Sequence, residues 1–229
     1  MTDHHFISSL RNDGLRPPRA AGRLWLPVAL SLVAALLVFW IARGTHTPEP
    51  EWQAASLFPE PLPVAEFSLV DAEGAPFTGK DLHGRITLLF FGFANCPDIC
   101  PVTLDVLARA LEQLRLMRTE PLPQVVFVSV DPERDRPALL REYVAQFDPA
   151  IRAVTGTDPE LQQLTKALGV YFRRGEPDEH GFYTVDHSGM IAIIDPDGRM
   201  IGRFPPGAQA QQIASDLFRL HRELKVGQE

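Results

Sequence analysis

The sequence predicts an α/β domain preceded by one N-terminal transmembrane helix. Two fully apolar runs, residues 86–91 and 125–130, are typical of strands that are buried on both faces of a sheet. Apolar residues at helical spacing follow each run, at residues 102–117 and 137–147. Alternation of buried strands with amphipathic helices is the pattern of an α/β sheet.

Residues 24–42 form an uncharged run of 19 residues near the N-terminus. At about 1.5 Å per helical residue, this run would cross a hydrocarbon layer of about 30 Å. It is longer than the apolar core of a cleavable signal peptide, about 7–15 residues, and no small-x-small cleavage site follows it. We therefore expect an uncleaved anchor.

The charges that flank this run predict its orientation. Four arginines precede it, and one, Arg43, closely follows it. The positive-inside tendency then makes residues 1–23 a cytoplasmic tail and puts the bulk of the chain across the membrane. In a bacterium, this describes a single-pass protein of the inner (cytoplasmic) membrane whose domain faces the periplasm or the exterior.

Residues 43–63 contain five prolines and are predicted to be an extended linker that holds the domain off the membrane. The domain is predicted to cover residues 64–229. Its strands are predicted at residues 67–70, 86–91, 125–130, 153–155, 170–173, 182–185, 190–194 and 199–204, and its helices at 102–117, 137–147, 159–168 and 207–225. The turn sequence DPDG at residues 195–198 predicts a hairpin between the last two strands. This order indicates a thioredoxin-like fold with an added β-hairpin.

The charge balance makes nucleic acid an unexpected partner. The chain has a formal net charge of -7, and because residues 1–23 carry +2, the remainder carries -9. An acidic domain repels phosphate backbones. A cation or a basic protein surface is a more suitable partner.

Cys96 and Cys100 are the two cysteines of the chain, in the loop that enters the helix at residues 102–117. A helix N-terminus favours negative charge, so we expect it to lower the pKa of a thiol placed there. A structural disulfide would close only a very short loop and would stabilise little. A redox dithiol usually has two intervening residues rather than three. A metal site would need a further ligand from elsewhere.

His187 is the candidate for that ligand. It precedes the strand predicted at residues 190–194, and in a thioredoxin-type sheet this position lies near the cysteine loop. Two thiolates and one imidazole form a soft donor set that suits copper, as Cu(I) or Cu(II), whereas zinc would need a fourth ligand such as water. The other histidines are predicted in tails, turns or the last helix: His4, His5, His46, His83, His180 and His221.

Several separated motifs carry a resemblance to a known family. They are FGF at residues 91–93, CPDICP at 96–101, VSVDPERD at 128–135, YTVDHS at 183–188 and DPDG at 195–198. With them, the chain resembles the SCO/SenC family of copper-binding cytochrome c oxidase assembly proteins, over roughly residues 64–224 together with the anchor.

The resemblance implies a copper metallochaperone in which Cys96, Cys100 and His187 bind one copper ion. It implies that the protein supports assembly of the copper centre in subunit II of cytochrome c oxidase, or an equivalent acceptor. A periplasmic copper donor and a thiol reductant are the further partners expected. Asp131 and Asp135 belong to a matched motif, and we interpret them as capping the following helix and bracing their loop rather than as ligands.

A second hypothesis is an enzyme, a thiol–disulfide oxidoreductase that reduces the acceptor's cysteines. Cys96 and Cys100 would then be the catalytic redox pair and would work through a mixed disulfide, without any need for His187. A thiol peroxidase is a third hypothesis, against which the nearby second cysteine and the His187 motif argue. The sequence favours the metallochaperone and leaves the enzyme question open.

Overall fold

The structure is a computed structural model that describes residues 25–44, 51–180 and 182–226. The chain divides into two compact units, Met1–Glu51 and Trp52–Glu229. The predicted cytoplasmic tail lies outside the described residues.

One helix, α1 (Trp25–Gly44), is described in the first unit. Leucine and alanine favour the helix, and Pro27 is tolerated in its first turn, where a missing N–H costs no hydrogen bond. The described side chains between Trp25 and Trp40 are exposed. By length and hydropathy, no helix within the described ranges qualifies as a membrane span.

The described residues of the second unit form ten strands and four further α-helices. The strands are β1 (Ser56–Pro63), β2 (Ser68–Asp71), β3 (Pro76–Thr78), β4 (Thr87–Gly92), β5 (Gln124–Ser129), β6 (Ile151–Thr155), β7 (Phe172–Arg174), β8 (Val185–His187), β9 (Ile191–Ile194) and β10 (Arg199–Phe204). The helices are α2 (Ile99–Leu116), α3 (Pro137–Ala145), α4 (Asp158–Ala167) and α5 (Ala210–Val226), with a 3₁₀ turn at Gly79–Leu82.

Eight of these strands form one sheet in the order β1-β10-β9-β4-β5-β6-β2-β3. The central strands β4, β5 and β6 are parallel, and every residue of β4 and β5 is buried. This confirms that both apolar runs are strands covered on both faces. Helices α2 and α3 connect the parallel strands, and α2 packs against α5. A short loop, residues 93–98, therefore connects the carboxyl end of β4 to the start of α2.

Two local predictions, the helices and a hairpin, can be compared with the structure. All four predicted helices of the domain are confirmed, but α2 begins three residues earlier, at Ile99, because Pro101 fits within its first turn. The hairpin between β9 and β10 is also confirmed. Asp195 accepts the N–H groups of Asp197 and Arg199 at 3.0 and 2.8 Å, and Gly198 has φ +78°.

Residues 56–63 do not belong to a linker, and on this point the sequence prediction is wrong. They form β1, which pairs antiparallel with β10 at the edge of the sheet. Proline is tolerated there because an edge strand has one row of N–H groups without a partner strand, and the register shifts between Leu57 and Leu62. The buried carboxylate of Asp216 on α5 also accepts the N–H groups of Gln53, Ala54 and Ala55, each at 2.8 Å.

The short strands β7 and β8 pair with each other and form a separate two-stranded sheet. The strands predicted at residues 170–173 and 182–185 are thus confirmed as strands, but their ends lie one to three residues later in the chain than predicted. Residues 175–180 and 182–184, which lie between these strands, are described as loop. His187 is the last residue of β8, so its backbone is not a member of the main sheet.

An ion pair between Arg115 and Asp148 joins the end of α2 to the segment after α3. Arg115 donates hydrogen bonds of 2.6 and 3.0 Å to the Asp148 carboxylate, and the Ala150 N–H donates another of 2.8 Å. Burial raises the pKa of Asp148, but these hydrogen bonds outweigh burial, and the net pKa lies below its ordinary value. A depressed carboxyl pKa stabilises the fold above the unfolded-state pKa, and this contribution disappears as the pH falls through the folded-state pKa.

Asp148→Asn is therefore expected to lower the free energy of unfolding at pH 7 by about 1–2 kcal/mol, a figure that allows for the half-exposed Arg115. The difference from wild type should shrink below about pH 4, where the unfolded carboxyl protonates. Urea unfolding of the variant and of wild type at pH 7 and pH 3 measures the loss of unfolding free energy and its decrease at low pH. Asp105→Asn, which breaks the exposed pair with Arg109, is the control and should cost at most about 0.5 kcal/mol. An equal loss at both pH values for Asp148→Asn would contradict the assignment.

Candidate metal centre

The two cysteines lie where β4 leads into α2. We call residues 93–98 the cysteine loop. Cys96 lies in this loop and is partly exposed, whereas Cys100 is the second residue of α2 and is buried. The sequence prediction places both cysteines in the loop and is wrong for Cys100, since α2 extends to Ile99. Both thiols are free.

Gly92, the last residue of β4, allows Cys100 to pack against the sheet. A Cβ atom at this position would lie 2.6 Å from Cys100 Sγ and 2.9 Å from Phe127 Cε2. Contacts of this length are sterically forbidden, so only a hydrogen atom fits. The glycine of the FGF motif therefore has a specific packing reason.

His187 is brought to the cysteine pair, as the sequence predicts. Its Nε2 atom lies 3.4 Å from Cys100 Sγ, although the two residues are 87 positions apart in the chain. The Sγ atoms of Cys96 and Cys100 and the nearest ring nitrogen of His187 all lie within 4.8 Å of one another. Three donor atoms thus converge on one small volume.

The orientation of the His187 ring leaves Nε2 directed at the sulfurs. Its Nδ1 atom lies 3.3 Å from the carbonyl oxygen of Ser188, and an Nδ1–H that donates there leaves the Nε2 lone pair free. Two rings pack around the imidazole: Phe93 meets it at 6.1 Å and 90°, and Phe90 at 6.3 Å and 70°. The imidazole is therefore held by packing as well as by a hydrogen bond.

Burial controls the protonation of these groups. Desolvation raises the pKa of the Cys100 thiol far above its ordinary value, and the neighbouring Cys96 and Asp135 add to the effect. The expectation that the helix terminus lowers the thiol pKa is thus wrong for Cys100, because burial outweighs it. Desolvation lowers the pKa of His187 below its ordinary value, so the imidazole stays neutral at pH 7. A metal ion would need to displace the Cys100 proton but not a histidine proton.

The two acids of the VSVDPERD motif brace the site. Asp135 is buried, and its carboxylate accepts the Ala94 N–H at 2.7 Å and the Ser129 hydroxyl at 2.6 Å. Asp131 is also buried and accepts the Tyr183 hydroxyl at 2.7 Å. The bracing role is confirmed. The capping role is wrong, because α3 has no side-chain cap hydrogen bond.

Arg134 and Tyr183 are functional candidates that the sequence patterns did not single out. Arg134 donates to the Asp131 carboxylate and to the Tyr183 carbonyl oxygen, the latter at 2.9 Å, and its guanidinium stacks 3.7 Å from the centroid of the Tyr183 ring. Burial, followed by the hydrogen bond to Asp131, raises the pKa of Tyr183 to about 12, so its hydroxyl remains a donor. Both residues lie inside quoted motifs, but their contact spans 49 residues.

The donor set fits copper better than the other biological metals. Two sulfurs and one imidazole are soft donors, which select Cu(I) and also accept Cu(II). Within the described ranges, this is the one group of three or more histidine, cysteine or acidic side chains with metal-binding spacing. Zinc prefers four ligands, and the protein supplies three.

The other described histidines lie apart from this group. His83 packs against Gly198, and its backbone forms an isolated antiparallel β-bridge with Asp197. His180 is exposed in the loop between β7 and β8, and His221 is on α5. The predicted placement of these three is confirmed. His4, His5 and His46 lie outside the described residues.

Comparison with known proteins supports the similarity inferred from the motifs. Residues 59–222 match the family model described as SCO1/SenC. The mitochondrial SCO2 homologue of Mus musculus is 37% identical over 154 residues, which are 67% of this chain and 60% of that protein. The mitochondrial SCO1 homologue of Homo sapiens is 35% identical over 208 residues, 90% of this chain and 69% of that protein. The matched region thus spans about 60% of the mouse protein's length.

Solved structures show the same thioredoxin-like fold. Arabidopsis thaliana ScoI with copper bound aligns with a TM-score of 0.65 and 31% identity, over 69% of this chain and 98% of that one. BsSco, described as a member of the Sco family of cytochrome c oxidase assembly proteins, aligns with a TM-score of 0.57 and 20% identity, over 72% and 98%. At that identity, BsSco supports the fold alone.

Proposed function

The chain belongs to the SCO1/SenC family, and from this premise we propose that it is a membrane-anchored copper metallochaperone. Copper is its cargo, and Cys96, Cys100 and His187 are the proposed ligands of one ion. The observation that carries the proposal is the convergence of two sulfurs and one imidazole nitrogen within 4.8 Å. The copper-bound structure of Arabidopsis thaliana ScoI, a related protein, supports the choice of metal.

The burial of the three ligands suggests how copper is released. Cys96 is the more exposed cysteine, so a thiolate of the acceptor would reach the metal from the side of the site on which Cys96 lies. Each new bond from the acceptor to copper replaces one bond from this protein. Because burial raises the pKa of the Cys100 thiol, its sulfur takes up a proton when it dissociates from copper. A three-ligand site leaves room for this exchange, whereas a saturated tetrahedral cage does not.

We propose that the acceptor is subunit II of cytochrome c oxidase or an equivalent copper site. The assignment follows from the resemblance to the SCO/SenC family, and the match of residues 59–222 to the SCO1/SenC family model supports it. A periplasmic copper donor and a thiol reductant complete the proposed pathway, since only reduced cysteines bind the metal. No role with nucleic acid is proposed.

The proposed topology rests on the sequence. A cytoplasmic tail at residues 1–23, an anchor at 24–42 and a domain on the far side of the bacterial inner membrane follow from the uncharged run and its arginine-rich flank. With β1 assigned to the domain, the proposed linker shortens and ends before Trp52.

A second function, thiol–disulfide exchange, is favoured by the unequal exposure of the two cysteines. The partly exposed Cys96 would attack an acceptor disulfide to form a mixed disulfide, and the buried Cys100 would then resolve it. Two thiols of this protein would become one disulfide, and the acceptor disulfide would become two thiols. His187 has no role in this reaction.

Titration of the reduced full-length protein with Cu(I) against a competing chelator tests the first function. We expect one tightly bound copper per chain. His187→Ala should weaken binding by more than the roughly 10–100-fold that loss of an outer partner of a ligand causes, because a ligand itself is removed. The exposed His180→Ala is the matched control and should bind as wild type does.

Binding that is weak and indifferent to His187→Ala would contradict the metallochaperone. If the same protein still exchanges its thiols with a model disulfide, thiol–disulfide exchange becomes the supported function in place of copper delivery. Both activities in one preparation would support the two functions together.

A further inference from the structure

One turn, residues 131–135, braces both halves of the candidate metal centre. Asp135 accepts the N–H of Ala94 in the cysteine loop at 2.7 Å. Asp131, at the other end of the turn, accepts the hydroxyl of Tyr183 at 2.7 Å. We call residues 183–188, which include His187, the histidine segment. The cysteine loop and the histidine segment are thus both tied to the same five residues.

The histidine segment needs such a tie because it is outside the main sheet. Among the residues that the structure describes, its strand β8 pairs only with the three-residue strand β7. Other contacts also support this small sheet. The Ser188 N–H donates to the Tyr171 carbonyl oxygen at 2.8 Å. Arg174 donates to the Val130 carbonyl oxygen at 2.9 and 3.3 Å and to the Asp158 carboxylate at 2.9 and 2.5 Å. A short isolated pair of strands is marginally stable without packing of this kind.

Arg134 connects the two halves through aromatic rings. Its guanidinium carbon lies 3.7 Å from the ring centroid of Tyr183 and 5.6 Å from that of Phe93, in the cysteine loop. Phe93 in turn meets the imidazole of His187 edge to face at 6.1 Å. One cation therefore lies beside both an aromatic ring of the histidine segment and an aromatic ring that contacts the ligand.

The hydroxyl of Tyr183 can be removed without dismantling this arrangement. Asp131 has no solvent exposure, so water cannot readily replace the lost donor. Arg134 and, at 3.9 Å, Arg174 still neutralise the carboxylate. Tyr183→Phe thus deletes one hydrogen bond and leaves the stacked ring and both ion pairs in place.

We propose that Tyr183, held by Asp131 and Arg134, is a positioning residue that keeps His187 within ligand distance of the cysteine pair. This inference rests on the proposed function, in which His187 is the third copper ligand. The DPERD and YTVDHS motifs then share one role, because together they set the separation of the imidazole from the sulfurs before any metal arrives.

Hydrogen exchange in the metal-free, reduced full-length protein tests the positioning by itself. In Tyr183→Phe, the amides of β8 and Ser188 should exchange at least about tenfold faster than in wild type, and the amides of β4 should be unchanged. Tyr171→Phe, which removes a hydroxyl from an exposed tyrosine and keeps its backbone contacts, is the matched control. Unchanged exchange across the histidine segment of Tyr183→Phe would overturn the proposal.

Copper binding tests the consequence through a double-mutant cycle. Tyr183→Phe should weaken Cu(I) binding by about tenfold, the lower range for an outer partner of a metal ligand. In the His187→Ala background, the same substitution should change binding less than about twofold, because its effect passes through the imidazole. Equal weakening in both backgrounds would show a general structural effect and would overturn the positioning role.

The two arms separate this inference from the proposed function. If wild type and His187→Ala bind copper equally weakly, the metallochaperone fails, while hydrogen exchange still decides whether Tyr183 holds the histidine segment. If His187→Ala weakens binding and Tyr183→Phe does not, the copper site stands and the positioning role is rejected.

Discussion

Gly92→Ala is expected to abolish tight copper binding and to destabilise the domain. The new methyl carbon would lie 2.6 Å from Cys100 Sγ and 2.9 Å from Phe127 Cε2, on two sides of a packed core. Overpacking of this kind costs about 1–3 kcal/mol of unfolding free energy.

Copper affinity is expected to fall whether Cys100 or Phe127 moves to make room for the new methyl group. If the Cys100 side chain rotates away from the methyl group, its sulfur leaves the volume that it shares with Cys96 and His187. If Phe127 and the sheet yield instead, β4 moves together with the cysteine loop that it carries. Both responses separate donor atoms that now lie within 4.8 Å of one another.

Cu(I) titration of Gly92→Ala, combined with urea unfolding, measures the two effects. Gly79→Ala is the matched control, because a Cβ atom there would have no neighbour within 4 Å. The control should bind copper and unfold as wild type does. Wild-type copper affinity in folded Gly92→Ala would show that Cys100 is not held in place by this packing.

Cys100→Ser is expected to reduce Cu(I) affinity more than the roughly 10–100-fold expected from loss of an outer partner. The substitution keeps nearly the same volume and replaces a soft sulfur with a hard oxygen, which Cu(I) binds poorly. Because Cys100 is buried, its thiolate also contributes in an environment where water competes little. The remaining sulfur and imidazole cannot compensate for this ligand.

Chelator competition on reduced Cys100→Ser measures the loss, and Cys96→Ser provides the comparison at the more exposed sulfur. Cys100→Ala serves as a second variant, since a buried serine hydroxyl without a partner could itself destabilise the fold by about 1–3 kcal/mol. Thermal unfolding identifies such a case. Retention of wild-type affinity in a folded Cys100 variant would remove this residue from the ligand set.

Much of the fold could be predicted because its signals are local. The runs at residues 86–91 and 125–130 are apolar throughout, and a strand with two buried faces requires that composition. The turn at residues 195–198 combines an aspartate that accepts local N–H groups with a glycine at positive φ. Each pattern involves only neighbours in sequence.

The misassigned segment shows where local patterns fail. The five prolines of residues 43–63 predict an extended linker, because proline-rich composition favours an extended chain. Residues 56–63 are nevertheless a strand, since an edge position leaves one side of its backbone without a partner strand. Whether a strand lies at an edge depends on the order of the whole sheet, which proline spacing does not contain.

By itself, the sequence determined the four helices and eight of the ten strands described in the domain, the C-x-x-x-C spacing and the three candidate ligands, because residue type and short-range spacing carry that information. The tertiary structure alone decided that His187 Nε2 approaches Cys100 Sγ to 3.4 Å across 87 residues, and that Tyr183 contacts Asp131 across 52. It also decided that the pKa of Cys100 is raised rather than lowered. These properties depend on desolvation and on contacts between distant segments, which arise only when the chain is packed.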